Sequence, residues 1–198
     1  RTTDERTAIF SCFPKSGVSN KLPIIQRNGS ISNMQLYSNF TSIVFDYFIR
    51  QKIGSTSLNF FLVKQFPVLS YIPSKFEEIV YSLELIYVSW DIKSIIDKIW
   101  DESTTEIKEE ILKQWLKNRR ETGGNVWQIP EWYQAYPEIH WDSPLTHHVI
   151  ENNNLSEELK QELIEYDGGC PLPPFKWDEN RREMLRAELD AYYALLYG

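Results

Sequence analysis

Apolar side chains recur along this chain with two different periods. Near the start, residues 7–14 (TAIFSCFP) and 22–26 (LPIIQ) are short runs rich in β-formers and predict buried strands, the first closed by Pro14 and the second placed at a sheet edge or strand start by Pro23. The intervening KSGVSNK predicts a loop, and Asn28 with Gly29 a turn. From Ser32 or Asn33, either of which can cap, Met34, Leu36, Tyr37, Phe40, Ile43, Val44, Tyr47 and Phe48 fall at three- and four-residue intervals and predict one amphipathic helix. It ends near Ile53, where Gly54 follows and Arg50 and Lys52 suit the negative end of the helix dipole. Residues 58–63 (LNFFLV) predict a third strand, ended by Pro67.

The period then changes. SKFEE at 74–78 is a capping-box-like start, and Ile79, Leu83, Ile86 and Tyr87 carry a helical repeat onward. Further helices are predicted at 91–100, at 105–120 with a stop at Gly123 and Gly124, at 156–166 before Gly168 and Gly169, and at 178–197. An irregular aromatic loop is predicted at 126–144, and PLPPF at 171–175 reads as an extended connector. These elements predict an α+β fold: a small sheet, complete or truncated, packed on the 32–53 helix within residues 1–75, continuing into a mainly helical region over 76–198.

At 198 residues the chain has room for one domain with a helical extension, and 42% hydrophobic with 25% charged residues excludes overall disorder. The net charge of -7 argues against a chain that coats nucleic acid indiscriminately. Its distribution is uneven, because Arg1, Arg6, Lys15, Lys21, Arg27, Arg50, Lys52, Lys64 and Lys75 face only Asp4, Glu5 and Asp46 in the first 75 residues. A basic front with an acidic helical back suits an anion contact on one face. Cys12 and Cys170 have neither disulfide-framework nor metal-site spacing, which fits a reducing cytoplasm. No signal peptide or membrane-spanning run is present, and the opening at Arg1 with the ending LLYG reads as a piece of something longer.

No cofactor- or phosphate-binding glycine motif, zinc-protease motif or nucleophile elbow occurs. Pro173, Pro174 and Phe175 approach the tetrad with which amino methyltransferases grip a flipped base, but Leu172 stands where the Asn must be. His140, His147 and His148 lack further ligands at a familiar offset, and the pairs Glu77 with Glu78, Glu109 with Glu110 and Glu157 with Glu158 read as solvated helix faces. No acidic cluster with a nearby Lys marks nuclease chemistry.

Residues 45–67, FDYFIRQKIGSTSLNFFLVKQFP, are the most informative. Arg50, Gln51 and Lys52 close a helix, Gly54 to Ser57 make a small turn, and Asn59, Lys64 and Gln65 follow. Cations and hydroxyls suit phosphate oxygens, and Arg, Gln or Asn suit base edges. The same residues also read as a plain helix end beside core Leu58, Phe60 and Phe61. A module that docks its aromatic helices onto other domains is the alternative function.

This stretch resembles the large type II (type IIG-like) restriction-modification adenine methyltransferases with a TaqI-like specificity domain. The resemblance lies in Phe45-Asp46-Tyr47, Arg50-Gln51-Lys52, Gly54, Thr56, Leu58-Asn59-Phe60-Phe61, Lys64-Gln65 and Pro67, with Arg6-Thr7 ahead and LRAELDA and the closing Leu-Tyr-Gly behind. Ser55 stands where a second Gly is usual and Ser57 where His is common, and residues 100–169 have no counterpart. The resemblance implies a bacterial, cytoplasmic parent that methylates adenine N6 with S-adenosylmethionine after flipping the base, with Mg²⁺ if it also cleaves DNA. This chain would hold no catalytic, cofactor or metal site. It would contribute target recognition on double-stranded DNA and contact the parent's other domains. Arg6, Lys15, Arg50, Lys52 and Lys64 are the candidate cationic contacts, Gln51, Asn59 and Gln65 the candidate amides, and Ser55 and Thr56 the turn contacts.

Overall fold

The computed structural model describes residues 6–13, 16–18, 22–25, 31–53, 60–69, 73, 76–124, 131, 144–152 and 154–198. Its helices are α1 (Asn33–Thr41), α2 (Ile43–Lys52), α3 (Phe60–Val63), α4 (Phe76–Ile86), a 3₁₀ turn (Trp90–Ile92), α5 (Lys93–Asp101), α6 (Thr105–Glu121), α7 (Pro144–Glu151), α8 (Glu157–Glu165) and α9 (Glu179–Tyr197). The α+β expectation is overturned, because no strand or sheet occurs among the described residues. The turn expected at Asn28 and Gly29 and nearly all of the 126–144 loop lie outside them. Two compact units divide the chain: Arg1–Ser82 with Asn180–Gly198, and Leu83–Glu179.

In the first unit, residues 6–13 follow an irregular path where a strand was expected. Their amides have a different partner: the N–H groups of Thr7 and Ala8 donate to the buried Asp46 carboxylate at 2.6 and 3.1 Å. Phe10 meanwhile sets its ring 4.7 Å from Phe40, so the run buries apolar surface without a ladder. In the second expected strand, Leu22, Ile24 and Ile25 are all exposed, which removes the one-sided burial a strand requires. The third is helical over its described part, α3, with the Lys64 N–H on the Phe60 carbonyl at 3.1 Å. A run as short as FFLV fits one helical turn as readily as a strand. With no strand edge beside it among the described residues, the local bond is how its backbone is satisfied.

The helix expected over 32–53 is two helices. Ser32 and Gln35 form a reciprocal capping box that starts α1. At Ser42 the backbone becomes extended (φ -70°, ψ 148°), and its hydroxyl donates to the Asn39 carbonyl at 2.8 Å while accepting the Phe45 N–H at 3.3 Å. One serine thus closes α1 and caps α2. The break resets the helical phase, so Phe45 and Ile49 are fully buried and Ile43 and Tyr47 are exposed. Phe40, Phe45, Ile49 and Phe66 make the core of this unit. Tyrosines of α9 tie into it: the Tyr193 hydroxyl bonds Ser38, and the Tyr197 hydroxyl accepts from Asn39 at 3.0 Å and donates to the Pro67 carbonyl at 2.8 Å.

In the second unit, PLPPF is extended, as its prolines dictate, and it is buried from Pro171 to Phe175. Three prolines leave it few N–H groups but a full set of carbonyls. Thr146 donates to the carbonyl of Pro171 (2.9 Å), Tyr87 to that of Leu172 (2.9 Å) and the Trp115 indole to that of Pro173 (2.8 Å). Leu83, Ile96, Trp100, Ile111, Leu163 and Leu172 are buried to 4% exposure or less. Before the connector, Gly169 takes a left-handed conformation (φ +90°), and a Cβ there would meet the Asp97 carboxylate. Asp97 pairs with buried Lys93 and accepts the Cys170 N–H at 2.8 Å, while Asp101 accepts that of Gly169 at 3.1 Å.

Burial pushes the Cys170 thiol up to about 12 from its ordinary 9.0, against the pull of Lys93. Burial and a hydrogen bond to Glu188 push the Tyr81 phenol up to about 12, and burial raises Tyr193 in the same direction. Between pH 9 and about 12 the unfolded chain therefore gives up protons that the folded chain keeps, and stability falls as pH rises. Urea midpoints are expected to drop across that window, with a shallower drop in Cys170→Ala. An unchanged slope in that variant would remove the buried thiol as a source.

Candidate nucleic-acid interface

The cationic candidates fall into two groups according to their partners. Arg6 is tied into the first unit, its guanidinium 2.9 Å from Asp190, whose other oxygen accepts the Ile43 N–H at 2.6 Å where α2 begins. A carboxylate there suits the positive end of the α2 dipole. Arg50 lies one turn beyond Asp46 and pairs with it at 3.2 Å, while its Nε donates to the Thr7 hydroxyl at 2.9 Å. Asp46, Arg50 and Thr7 thus clamp the 6–13 segment onto α2. The Arg50 side chain remains 57% exposed, so one edge of it faces solvent.

The second group surrounds the end of α2 and the single turn of α3. Lys52 is exposed and reaches across to the turn after α3, its Nζ donating to the Gln65 carbonyl at 2.9 Å. Gln65 folds its amide back onto the Phe61 carbonyl at 3.3 Å. Gln51, Lys64 and Gln65 are exposed. The structure therefore joins Lys52 to the backbone of Gln65, the chain neighbour of Lys64, and Gln51 lies on the last turn of α2. Lys15, Ser55, Thr56 and Asn59 lie outside the described residues.

The electrostatic setting is one-sided. Residues 47–76 contain no Asp or Glu, in a chain whose net charge is -7. Two ammonium groups and two primary amides on exposed residues, in a stretch of sequence without Asp or Glu, provide point charges for phosphate oxygens and paired donor-acceptor edges for bases. Among the described residues no three His, Cys, Asp or Glu side chains group as a metal site, and His147 and His148 are exposed on α7.

Sequence reasoning missed two kinds of residue. Asp46 and Asp190 decide which arginines are engaged; the four-residue spacing of Asp46 and Arg50 was a signal for the first, but nothing local pointed to the second. Phe60 and Phe61 were expected in a core strand and stand 56% and 73% exposed. Their helical spacing to Lys64 and Gln65 was the available clue.

No family model matches this chain, and neither a curated protein nor a solved structure shows significant similarity to it.

Proposed function

We propose that this chain is the DNA target-recognition and positioning part of a cytoplasmic restriction-modification N6-adenine methyltransferase, non-catalytic in itself, with methyl transfer carried by another part of a larger protein. The observation that carries the reading is that Gln51, Lys52, Lys64 and Gln65 are exposed, with Lys52 bonded to the Gln65 carbonyl, in a stretch of sequence without Asp or Glu. Lys52 and Lys64 hold the phosphate backbone of double-stranded DNA, and the two glutamine amides read base edges. Arg50 adds its exposed edge, whereas Arg6 acts as an internal tie. S-adenosylmethionine, with Mg²⁺ if the parent cleaves DNA, belongs elsewhere in the larger protein.

The test is duplex binding by the 198-residue chain across several salt concentrations and target sequences. Lys52→Ala and Lys64→Ala are each expected to weaken binding uniformly and to reduce the log-log salt slope by about 1. Gln51→Ala and Gln65→Ala are expected to leave that slope alone and to relax sequence preference by roughly 1–3 kcal/mol per lost base contact. Binding untouched by all four substitutions sinks the assignment. It would favour the docking alternative, for which Met184 and Leu195, exposed at 42% and 84% on α9, are the observation.

A further inference from the structure

Phe60 and Phe61 are adjacent in sequence and both are exposed, at 56% and 73%, shortly ahead of Lys64 and Gln65. The other phenylalanines at the heart of the first unit, Phe40, Phe45 and Phe66, are at most 8% exposed, so burial was available to this chain's aromatic residues nearby. Isolated exposed apolar side chains are ordinary on protein surfaces. A neighbouring pair on one helical turn, followed directly by exposed Lys64 and Gln65, is a different arrangement.

The hydrogen bonds fix that arrangement. The Lys64 N–H bonds the Phe60 carbonyl at 3.1 Å, the Gln65 amide bonds the Phe61 carbonyl at 3.3 Å, and Lys52 bonds the Gln65 carbonyl at 2.9 Å. Lys64 and Gln65 follow in the turn that closes this short helix, the Gln65 N–H bonding the Leu62 carbonyl at 2.9 Å. Both rings thus lie within four residues of exposed groups able to bind phosphate or a base edge. The backbone that carries the rings is held at its C-terminal side by Lys52.

We propose that Phe61, supported by Phe60, is a base-stacking wedge: its ring enters an opened base step of bound duplex DNA while Lys52 and Lys64 hold the flanking phosphates. This rests on the nucleic-acid reading above and specifies how the site engages the duplex. Charge selects the occupant. A stretch of sequence free of carboxylates over residues 47–76, with exposed Lys52 and Lys64, suits a polyanion, and a polyanion with planar apolar faces is a nucleic acid. An apolar patch meant for a protein partner would gain nothing from two flanking ammonium groups unless that partner were acidic.

A wedge opens a base step at a cost that is lower where the duplex is already weakened, so wild-type chain is expected to bind a duplex with a single mismatch more tightly than its matched counterpart. The preference should reach at least about five-fold at low salt, the fold-change for about 1 kcal/mol of opening cost removed by the mismatch. Phe61→Ala should abolish it while leaving the salt slope unchanged, and Phe61→Tyr should retain it. Lys52→Ala should weaken both duplexes equally. Far-UV circular dichroism confirms that each variant is folded. If Phe61→Ala keeps the mismatch preference, or wild type has none while still binding DNA in a salt-dependent way, the wedge is overturned and the DNA reading stands. If an acidic polypeptide competes for the surface and wild type binds no duplex, both are overturned.

Discussion

Phe45→Ala is expected to destabilise the first unit by about 3–5 kcal/mol, the range for truncating a buried aromatic to alanine. Phe45 has no solvent exposure, and its ring lies 4.9 Å from Phe40, 5.6 Å from Phe66 and 6.0 Å from Phe10. Those neighbours come from three separate stretches of chain, so the ring holds together α1, the irregular 6–13 segment and the segment following α3. Aromatic neighbours are stiff and collapse poorly into a void, which places the cost toward the upper part of the range. Phe45→Leu should cost distinctly less, since most of the volume is kept. Phe61→Ala, at a ring 73% exposed, should stay within about 0.5 kcal/mol of wild type. Urea unfolding of the three variants gives the comparison. Equal losses for Phe45→Ala and Phe61→Ala would mean that burial is misassigned between them.

The elements visible in the sequence were those with both a sustained period and a chemical boundary. Ser32 with Gln35, and Ser156 ahead of two glutamates, mark helix starts by side-chain bonding to the first-turn amides, and both caps form. The repeats of α4, α5, α6 and α9 run long enough to distinguish 3.6 from 2. The strands failed for lack of that length. TAIFSCFP and LNFFLV are short apolar runs whose composition says that they avoid water without saying how, and a carboxylate at Asp46 takes the amides that a neighbouring strand would have taken. The Ser42 break was hidden in a continuous apolar pattern, because a hydroxyl that bonds backbone on both sides leaves no mark in hydrophobicity. In the candidate site, residue types were visible and engagement was not. Arg6 and Arg50 resemble Lys52 and Lys64 in sequence, yet the Arg6 partner, Asp190, is 184 positions away. PLPPF was recognised as extended, but its burial depends on Thr146, Tyr87 and Trp115, donors supplied from distant positions.

Asn118 is the second residue whose loss should be felt strongly, through polar satisfaction in place of volume. It is 2% exposed, and its Nδ2 donates to Glu84 at 2.8 Å and to the Lys176 carbonyl at 3.0 Å while its Oδ1 accepts the Lys176 N–H at 3.0 Å. Gln114 supplies a donor to the other Glu84 oxygen at 2.6 Å. A carboxylate that is itself 2% exposed thus draws on two neutral amides, and one of them also fixes the exit of the buried connector. Asn118→Ala removes three bonds and strands part of a buried carboxylate together with both backbone groups of Lys176. The expected cost is roughly 3–5 kcal/mol, as for breaking a buried charged interaction by removing one partner. Asn118→Asp keeps the shape but replaces the donor by a second carboxylate beside Glu84, so at pH 7 it should cost at least as much as alanine. Its deficit should shrink as pH falls toward the carboxyl range, where one of the two groups takes a proton and becomes a donor. Adding Glu84→Gln to Asn118→Asp should recover part of the loss at pH 7, because the like-charge repulsion is gone and the new amide can donate to Asp. Urea midpoints at pH 7 and pH 5 for the single and double variants measure that coupling. A double variant no more stable than Asn118→Asp alone would show that charge repulsion is not what the Asn118 amide prevents.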